Sequence, residues 1–311
     1  MEPIINPVER SLLLRELTPE RKLRDTARAG NELFIFNAHQ APALMREVGR
    51  LREESFRAAG GCSGRSMDID RYDTMANPYR QLIVWDPESL EIVGGYRFLP
   101  GSEVHFNEDG TPVLATAELF DFSEEFLEKY LPATLELGRS FVSPGYQSSA
   151  INTKSIFALD NLWDGLATIM MLNPYLSFYF GKVTIHPGYD RKAASLIMHF
   201  LQKHYVDRNN LARPKKPVEP AECEAVLRGE SAEEDYLILK RAISKLGFKI
   251  PPLFNSYINL ASTMTYFGFS ECHDLIGAIE GGMMINFGDI YPDKKERHLK
   301  AFFEGKVNAN L

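Results

Sequence analysis

The side chains best suited to chemistry are charged groups at short intervals: Asp70 and Asp73 in DIDRYDT, Arg97 in GGYRF, and Glu136 and Arg139 in LELGRSFV. A carboxylate beside a nucleophile can take its proton, and a guanidinium can orient that carboxylate or grip another one with two donors. The same residue types also build structural ion-pair networks, and both readings stand at this level.

Glu136 and Arg139 lie three residues apart. In a regular strand over 135–142, side chains alternate with period two and the pair points to opposite faces. A glycine inside a strand often marks a bulge that re-aims its neighbours, so a shared site for the two residues requires a break at Gly138.

Other elements must hold this strand in place. Residues 41–59 carry Leu44, Val48, Leu51 and Phe56 at helical spacing, ended by Gly60 and Gly61. QLIVW (81–85) and EIVGGYRF (91–98) flank Asp86-Pro87-Glu88-Ser89 and predict a strand hairpin. After an irregular SPGYQSSAINT stretch, a helix is expected from about Lys154, with Ile156, Leu159, Trp163, Leu166 and Met170 on one face. A strand over 175–185 and a helix over 191–205 follow. Residues 206–234, with Pro214, Pro217 and Pro220, read as an insertion or linker. Beyond it come a helix over 235–246, a break at Pro251-Pro252, strands at 257–260 and 283–287, and a charged tail. The succession predicts a mixed α/β sheet, with residues 1–30 as an extension and 31–311 as a single domain.

A chain of 311 residues with 44% hydrophobic and 25% charged content can bury a large core. Its net charge of -7 argues against nucleic-acid binding, which needs a concentrated basic surface. Cys62, Cys223 and Cys272 are odd in number and far apart, so no disulfide framework or zinc knuckle is expected, and a cytoplasmic setting is. The first residues lack a signal-peptide apolar run, and no stretch reaches the ~20 apolar residues of a membrane span; contact with the inner membrane face is left open. GxSxG, HExxH, P-loop and GxGxxG signatures are all missing, as is the His-x4-Asp pattern of glycerolipid acyltransferases. His199 and His204 are separated by five positions with no carboxylate next to them in sequence, so no metal site is expected.

Arg52 and Phe56, then Asp70-Arg71-Tyr72-Asp73, Gly95-Tyr96-Arg97, Phe120 and Glu136 to Phe141 form an ordered set. It resembles the acyl-homoserine-lactone synthases and the ornithine and glycine N-acyltransferases, which share the GNAT fold. Leu162-Trp163-Asp164-Gly165-Leu166, Phe180-Gly181-Lys182-Val183 and Pro251 to Tyr257 are similar to motifs of the amino-acid N-acyltransferase branch, often labelled hemolysin-like. The resemblance covers about residues 30 to 300.

It implies a central twisted mixed sheet flanked by helices, with a bulged strand near Gly138 that splays to admit a pantetheine arm. It also implies transfer of a long-chain fatty acyl group from a thioester to the amine of a small amino acid, glycine or ornithine-like. Glu136 is then the expected base, with Asp70 or Asp73 as alternatives; Arg97 and Arg139 hold the acceptor carboxylate or orient the acids. Arg52, Phe56, Phe120, Phe141, Val142 and Trp163 are candidates for the acyl-donor path, although Phe56, Phe120 and Trp163 also suit a core. No permanently bound cofactor is implied.

Two departures refine this. The autoinducer synthases carry a tryptophan where this chain has GGCSGRSM, which disfavours lactone synthesis. The Q/R-x-x-G-x-G/A loop that cradles the CoA pyrophosphate is missing after Val142, which favours acyl carrier protein over CoA as donor. Lys182, Arg191, Lys192, Lys203 and Arg213-Pro214-Lys215-Lys216 are candidates for docking such an acidic carrier. The alternatives are a lactone-synthase-like or acyl-CoA-dependent enzyme, or a non-catalytic, lipid-binding hemolysin-like protein.

Overall fold

The computed structural model describes residues 1–147, 153–221, 226–261, 263–272, 278–304 and 307. In chain order its strands are β1 (Lys22–Asp25), β2 (Glu32–Phe36), β3 (Arg80–Asp86), β4 (Glu91–Pro100), β5 (Phe120–Phe122), β6 (Thr134–Val142), β7 (Phe178–Ile185), β8 (Ala212–Pro214), β9 (Thr265–Glu271) and β10 (Ile279–Asn286). Its helices are α1 (Arg10–Glu16), α2 (Pro42–Ala58), α3 (Arg71–Thr74), α4 (Ala158–Leu172), α5 (Arg191–Tyr205), α6 (Ala232–Lys245), α7 (Pro252–Ile258) and α8 (Pro292–Glu304). The chain divides into two compact units: Met1–Pro100, Leu135–Leu176 and Pro292–Leu311 in one, Gly101–Thr134 and Ser177–Tyr291 in the other. The mixed α/β class expected from the sequence holds.

In the first unit β1, β2, β3, β4 and β6 pair in that order, each antiparallel to the next. β2, β3 and β4 are rich in β-branched and aromatic residues, and nearly all of their residues are buried. On one face Ile83 and Trp85 pack with Leu44, Met45, Val48 and Leu51 of α2. Each such buried side chain contributes about 1.5–3 kcal/mol. On the other face Leu82 lies against α4, where a Cβ on Gly165 would come within 2.7 Å of it. The start of α2 is well provided for: Pro42 needs no partner for a missing N–H, and the Glu16 carboxylate accepts from the N–H groups of Ala43 (3.1 Å) and Leu44 (2.8 Å). Gly60, with φ +84, follows its last turn, as expected from the Gly60-Gly61 pair.

Residues 1–30 belong to this unit. Arg24 of β1 is buried and donates to Thr168 Oγ1 (2.8 Å) and the Asp164 carbonyl of α4 (3.1 Å). The expected charged tail is corrected to the helix α8. Its His298 ring Nδ1 lies 2.9 Å from Asp164 Oδ1, and Arg297 pairs with Asp160, so the charges of this segment dock a helix on α4. The helix expected from Lys154 starts at Ala158, after a tight turn over Thr153–Phe157.

In the second unit β7, β10 and β9 pair antiparallel, and Phe122, Phe126, Phe180 and Phe267 stack edge-on or face-on within it. In the segment expected as an insertion or linker, residues 206–221 pair into the second unit. Leu211 and Ala212 are buried, β8 pairs with β5, and Val218 N–H donates to Phe269 O of β9 at 3.0 Å. Prolines suit such an edge because they remove donors where no ladder continues. The strand expected at 257–260 is corrected as well. Pro252 opens α7, since its fixed φ suits the first helical position, and Tyr257 and Ile258 lie in that helix. His204, read as lacking a carboxylate beside it, has Asp235 of α6 at 2.8 Å. Cys223 and His273 lie outside the described residues, as does part of the stretch after Val142.

Candidate active site

The cross-strand row Gln81, Arg97 and Gly138 joins β3, β4 and β6 on one face of the first unit's sheet. Glu136 faces the same way, two positions along β6. Gly138 has a steric reason: a Cβ there would sit 3.3 Å from Arg97 Nε, so the missing side chain is the space the guanidinium stem crosses.

The expected bulge exists one step later. Gly138 pairs with Arg97 and Phe141 with Gly95, so β6 spends one more residue than β4 over this interval. Arg139 is the residue that turns, with φ +48, a left-handed conformation that glycine adopts more readily. This turn carries Arg139 to the side of the acidic residues: its Nε lies 3.1 Å from Asp68 Oδ2 and its Nη2 donates to Asp70 Oδ2 at 3.2 Å.

The acidic residues are presented by α3 and the segment before it. Asp70 and Asp73 form a reciprocal cap. Asp70 Oδ1 accepts from the N–H groups of Tyr72 (2.9 Å) and Asp73 (3.3 Å), and Asp73 Oδ2 accepts from Asp70 N–H (3.2 Å). The preceding segment approaches α2 because Gly49 has no side chain; a Cβ there would lie 2.6 Å from Ile69 Cγ1, and Asp68 N–H donates to Gly49 O at 2.9 Å. Asp70 Oδ2 accepts from Arg97 Nη1 at 2.7 Å. Asp73 accepts from Arg52 Nη1 (3.1 and 3.2 Å), Arg97 Nη1 (3.4 Å) and Gln81 Nε2 (3.0 Å), while Arg52 Nη2 also donates to Gln81 Oε1. Tyr79 O–H donates to Glu136 Oε2, and the Arg97 guanidinium lies over the Tyr79 ring at 5.2 Å.

Arg52, Asp73 and Tyr79 are fully buried, and Glu136 and Arg97 nearly so. Asp70 and Arg139 keep side-chain exposures of 20% and 16%, which makes them the members of the network that a solute reaches first. The five expected catalytic candidates, Glu136, Arg139, Asp70, Asp73 and Arg97, therefore converge on one face, with hydrogen bonds to Tyr79 and Gln81 and an ion pair to Asp68 around them.

Two comparisons of the sequence decide the family. The GNAT acetyltransferase domain matches residues 51–155, the interval that holds this network. Along 99% of its length the chain is 47% identical to a glycine N(alpha)-acyltransferase of Bacteroides thetaiotaomicron, 93% of which is covered, and to one of Phocaeicola vulgatus, 96% of which is covered. The chain belongs to this N-acyltransferase family. Among solved structures it is similar to a CoA-dependent acyl-homoserine lactone synthase, BjaI, with MTA, at TM-score 0.38 and 11% identity over 88% of this chain and 90% of that one.

Within the N-acyltransferase the residues expected along the donor path are dispersed. Arg52 is enclosed by Asp73 and Gln81. Phe141 is a core residue and Phe56 packs on the same cluster. The Val142 carbonyl accepts from Ser55 Oγ (3.1 Å) and Gln147 Nε2 (2.8 Å), and Trp163 is buried on α4. Phe120 lies in the second unit, where its ring fills the space over Gly282. Of the basic residues suggested for docking, Lys182 pairs with Glu280 at 2.6 Å and Lys203 with Asp235 at 2.6 Å, while Arg191, Lys192, Arg213 and Lys216 are exposed.

Tyr79, Gln81 and Asp68 were not among the expected site residues. Only Asp68 carries a signal in the sequence, as an acidic residue two positions before Asp70; Tyr79 and Gln81 are of ordinary strand residue types.

The charge balance has a pH consequence. Burial works against the ionised Asp70, but Arg97 and Arg139 outweigh it and hold its carboxyl well below the usual carboxylate range. A depressed folded-state value stabilises the fold above the unfolded-state value of about 3.9 and is lost as pH falls further toward the folded one. Asp70→Asn is therefore expected to lower stability at pH 7 and to flatten its fall below about pH 4. Urea midpoints for both proteins between pH 2 and 7 test this; parallel curves would reject it.

Proposed function

We propose that this N-acyltransferase moves a long-chain fatty acyl group from the thioester of acyl carrier protein to the α-amino group of glycine, giving an N-acylglycine lipid. The full-length identity to two glycine N(alpha)-acyltransferases carries the acceptor assignment. The missing pyrophosphate loop after Val142 favours the carrier protein, and the exposed Arg191, Lys192, Arg213 and Lys216 suit its acidic surface.

The residues divide the work as follows. Arg139 offers guanidinium donors to the glycine carboxylate, and Asp70 faces its ammonium group. Glu136 takes a proton from the ammonium group through an intervening water, because it is enclosed and the ammonium form has no lone pair to attack with. The amine nitrogen bonds to the thioester carbonyl carbon, the carbon–sulfur bond breaks, and the carrier leaves as a thiol, its sulfur taking the second proton that the nitrogen loses on becoming an amide. Asp73, itself held by Arg52, keeps Arg97 in place behind this set.

Incubation with palmitoyl carrier protein or palmitoyl-CoA, each with a panel of amino acids that includes glycine and ornithine, tests the reading by mass spectrometry of the lipid product. N-palmitoylglycine from the carrier-protein arm is expected. Product only from the CoA arm would overturn the donor, product only with ornithine would overturn the acceptor, and no product with any pair would reject the reading.

A further inference from the structure

Glu136 is set in a place where a carboxylate is not automatically ionised. Its exposure is 1%, and loss of water disfavours the charged form unless donors replace it. Tyr79 supplies such a donor: its O–H points at Glu136 Oε2, and an ionised carboxylate can only accept.

Tyr79 is itself fixed from several sides. It is fully buried, its N–H donates to Tyr72 O at 2.9 Å, and its ring meets that of Tyr72 edge-on at 5.6 Å. The Arg97 guanidinium lies 5.2 Å from the ring centroid, and this positive charge on the π face strengthens the phenol as a donor. The guanidinium in turn is held by Asp70 and Asp73, so the hydroxyl connects the ion network to the candidate base.

We propose that Tyr79 is a positioning residue that keeps Glu136 ionised and aimed, by donating its hydroxyl hydrogen to Glu136 Oε2. The inference rests on the reading of Glu136 as the base, and it adds a separate requirement: the carboxylate must be held in its charged form by this phenol.

Tyr79→Phe keeps the ring, its contact with Tyr72 and its place under Arg97, and removes the hydroxyl that donates to Glu136. Loss of a hydrogen bond to the charged form raises the pKa of Glu136. The expected result is a fall in kcat of roughly tenfold near neutral pH, KM for glycine within twofold, and an acidic limb of the kcat profile moved up by about one pH unit, so that the loss shrinks as pH rises. A purely structural role would lower activity equally at all pH values. An unmoved limb in Tyr79→Phe overturns the proposal.

Two controls separate the failures. If Glu136→Gln keeps full turnover, the base assignment has failed rather than the role of Tyr79 alone. Infrared difference spectra of protein with isotopically labelled glutamate, in wild type, Glu136→Gln and Tyr79→Phe, read the carboxyl directly and need no turnover. A Glu136 that is protonated at pH 7 in the wild type, or whose ionisation is the same in Tyr79→Phe, overturns the proposal even in an otherwise inactive preparation.

Discussion

Asp73→Ala is expected to cost about 3–5 kcal/mol of folding stability, because it leaves buried guanidinium charge without its partner. Asp73 and Arg52 both have side-chain exposures of 0%, and Arg97 has 2%. Water cannot reach Arg52 to replace the carboxylate, and Gln81 can accept from only part of its donor fork. The loss matters because a domain's whole margin is only about 5–15 kcal/mol. Urea unfolding followed by tryptophan fluorescence measures it, Trp85 and Trp163 both belonging to the same unit. The double variant Arg52→Ala/Asp73→Ala should lose less than the sum of the single ones, since removing both charges removes the unpaired one. A single-variant cost below about 1 kcal/mol would place Asp73 among ordinary surface ion pairs and remove the argument from burial.

Glu136→Gln is expected to lower turnover by about 10²-fold or more, the usual worth of a general base, with the fold retained. The amide has nearly the same shape, and its oxygen still accepts from Tyr79 O–H. It cannot take a proton from an amine at neutral pH. Steady-state rates with glycine and an acyl thioester, beside circular dichroism of the same preparations, measure the two effects separately. Turnover within twofold of wild type would take Glu136 out of the mechanism.

What the sequence made legible follows from how local each signal is. The α2 helix and the β3–β4 hairpin announce themselves by spacing and turn residues within a few positions. β1 and β2 do not: KLRD and ELFIF are too short for a period to be counted, and their strand identity comes from pairing, β2 with β3 and β1 with β2. The Pro251-Pro252 pair is visible as punctuation, but whether it ends one element or opens another depends on what α7 packs against. Among the site residues, the charges of Asp70, Asp73, Arg97, Glu136 and Arg139 drew attention by type. Tyr79 and Gln81 carry ordinary strand residue types, and only their buried bonds to charged groups set them apart. The bulge was readable in kind and misplaced by one residue, because glycine is the usual occupant of a left-handed bulge position and here the arginine takes it.

That arginine sets a trade between robustness and activity. A left-handed backbone costs a residue with a Cβ roughly 1 kcal/mol that glycine does not lose. Any selection for heat resistance therefore pushes position 139 toward glycine, yet the exchange strands Asp68, whose side chain is only 5% exposed. The backbone gain is realised only when Asp68 is neutralised in the same molecule. Thermostable descendants of this enzyme should carry the two changes together, and they would do so having given up the guanidinium that we assign to the acceptor.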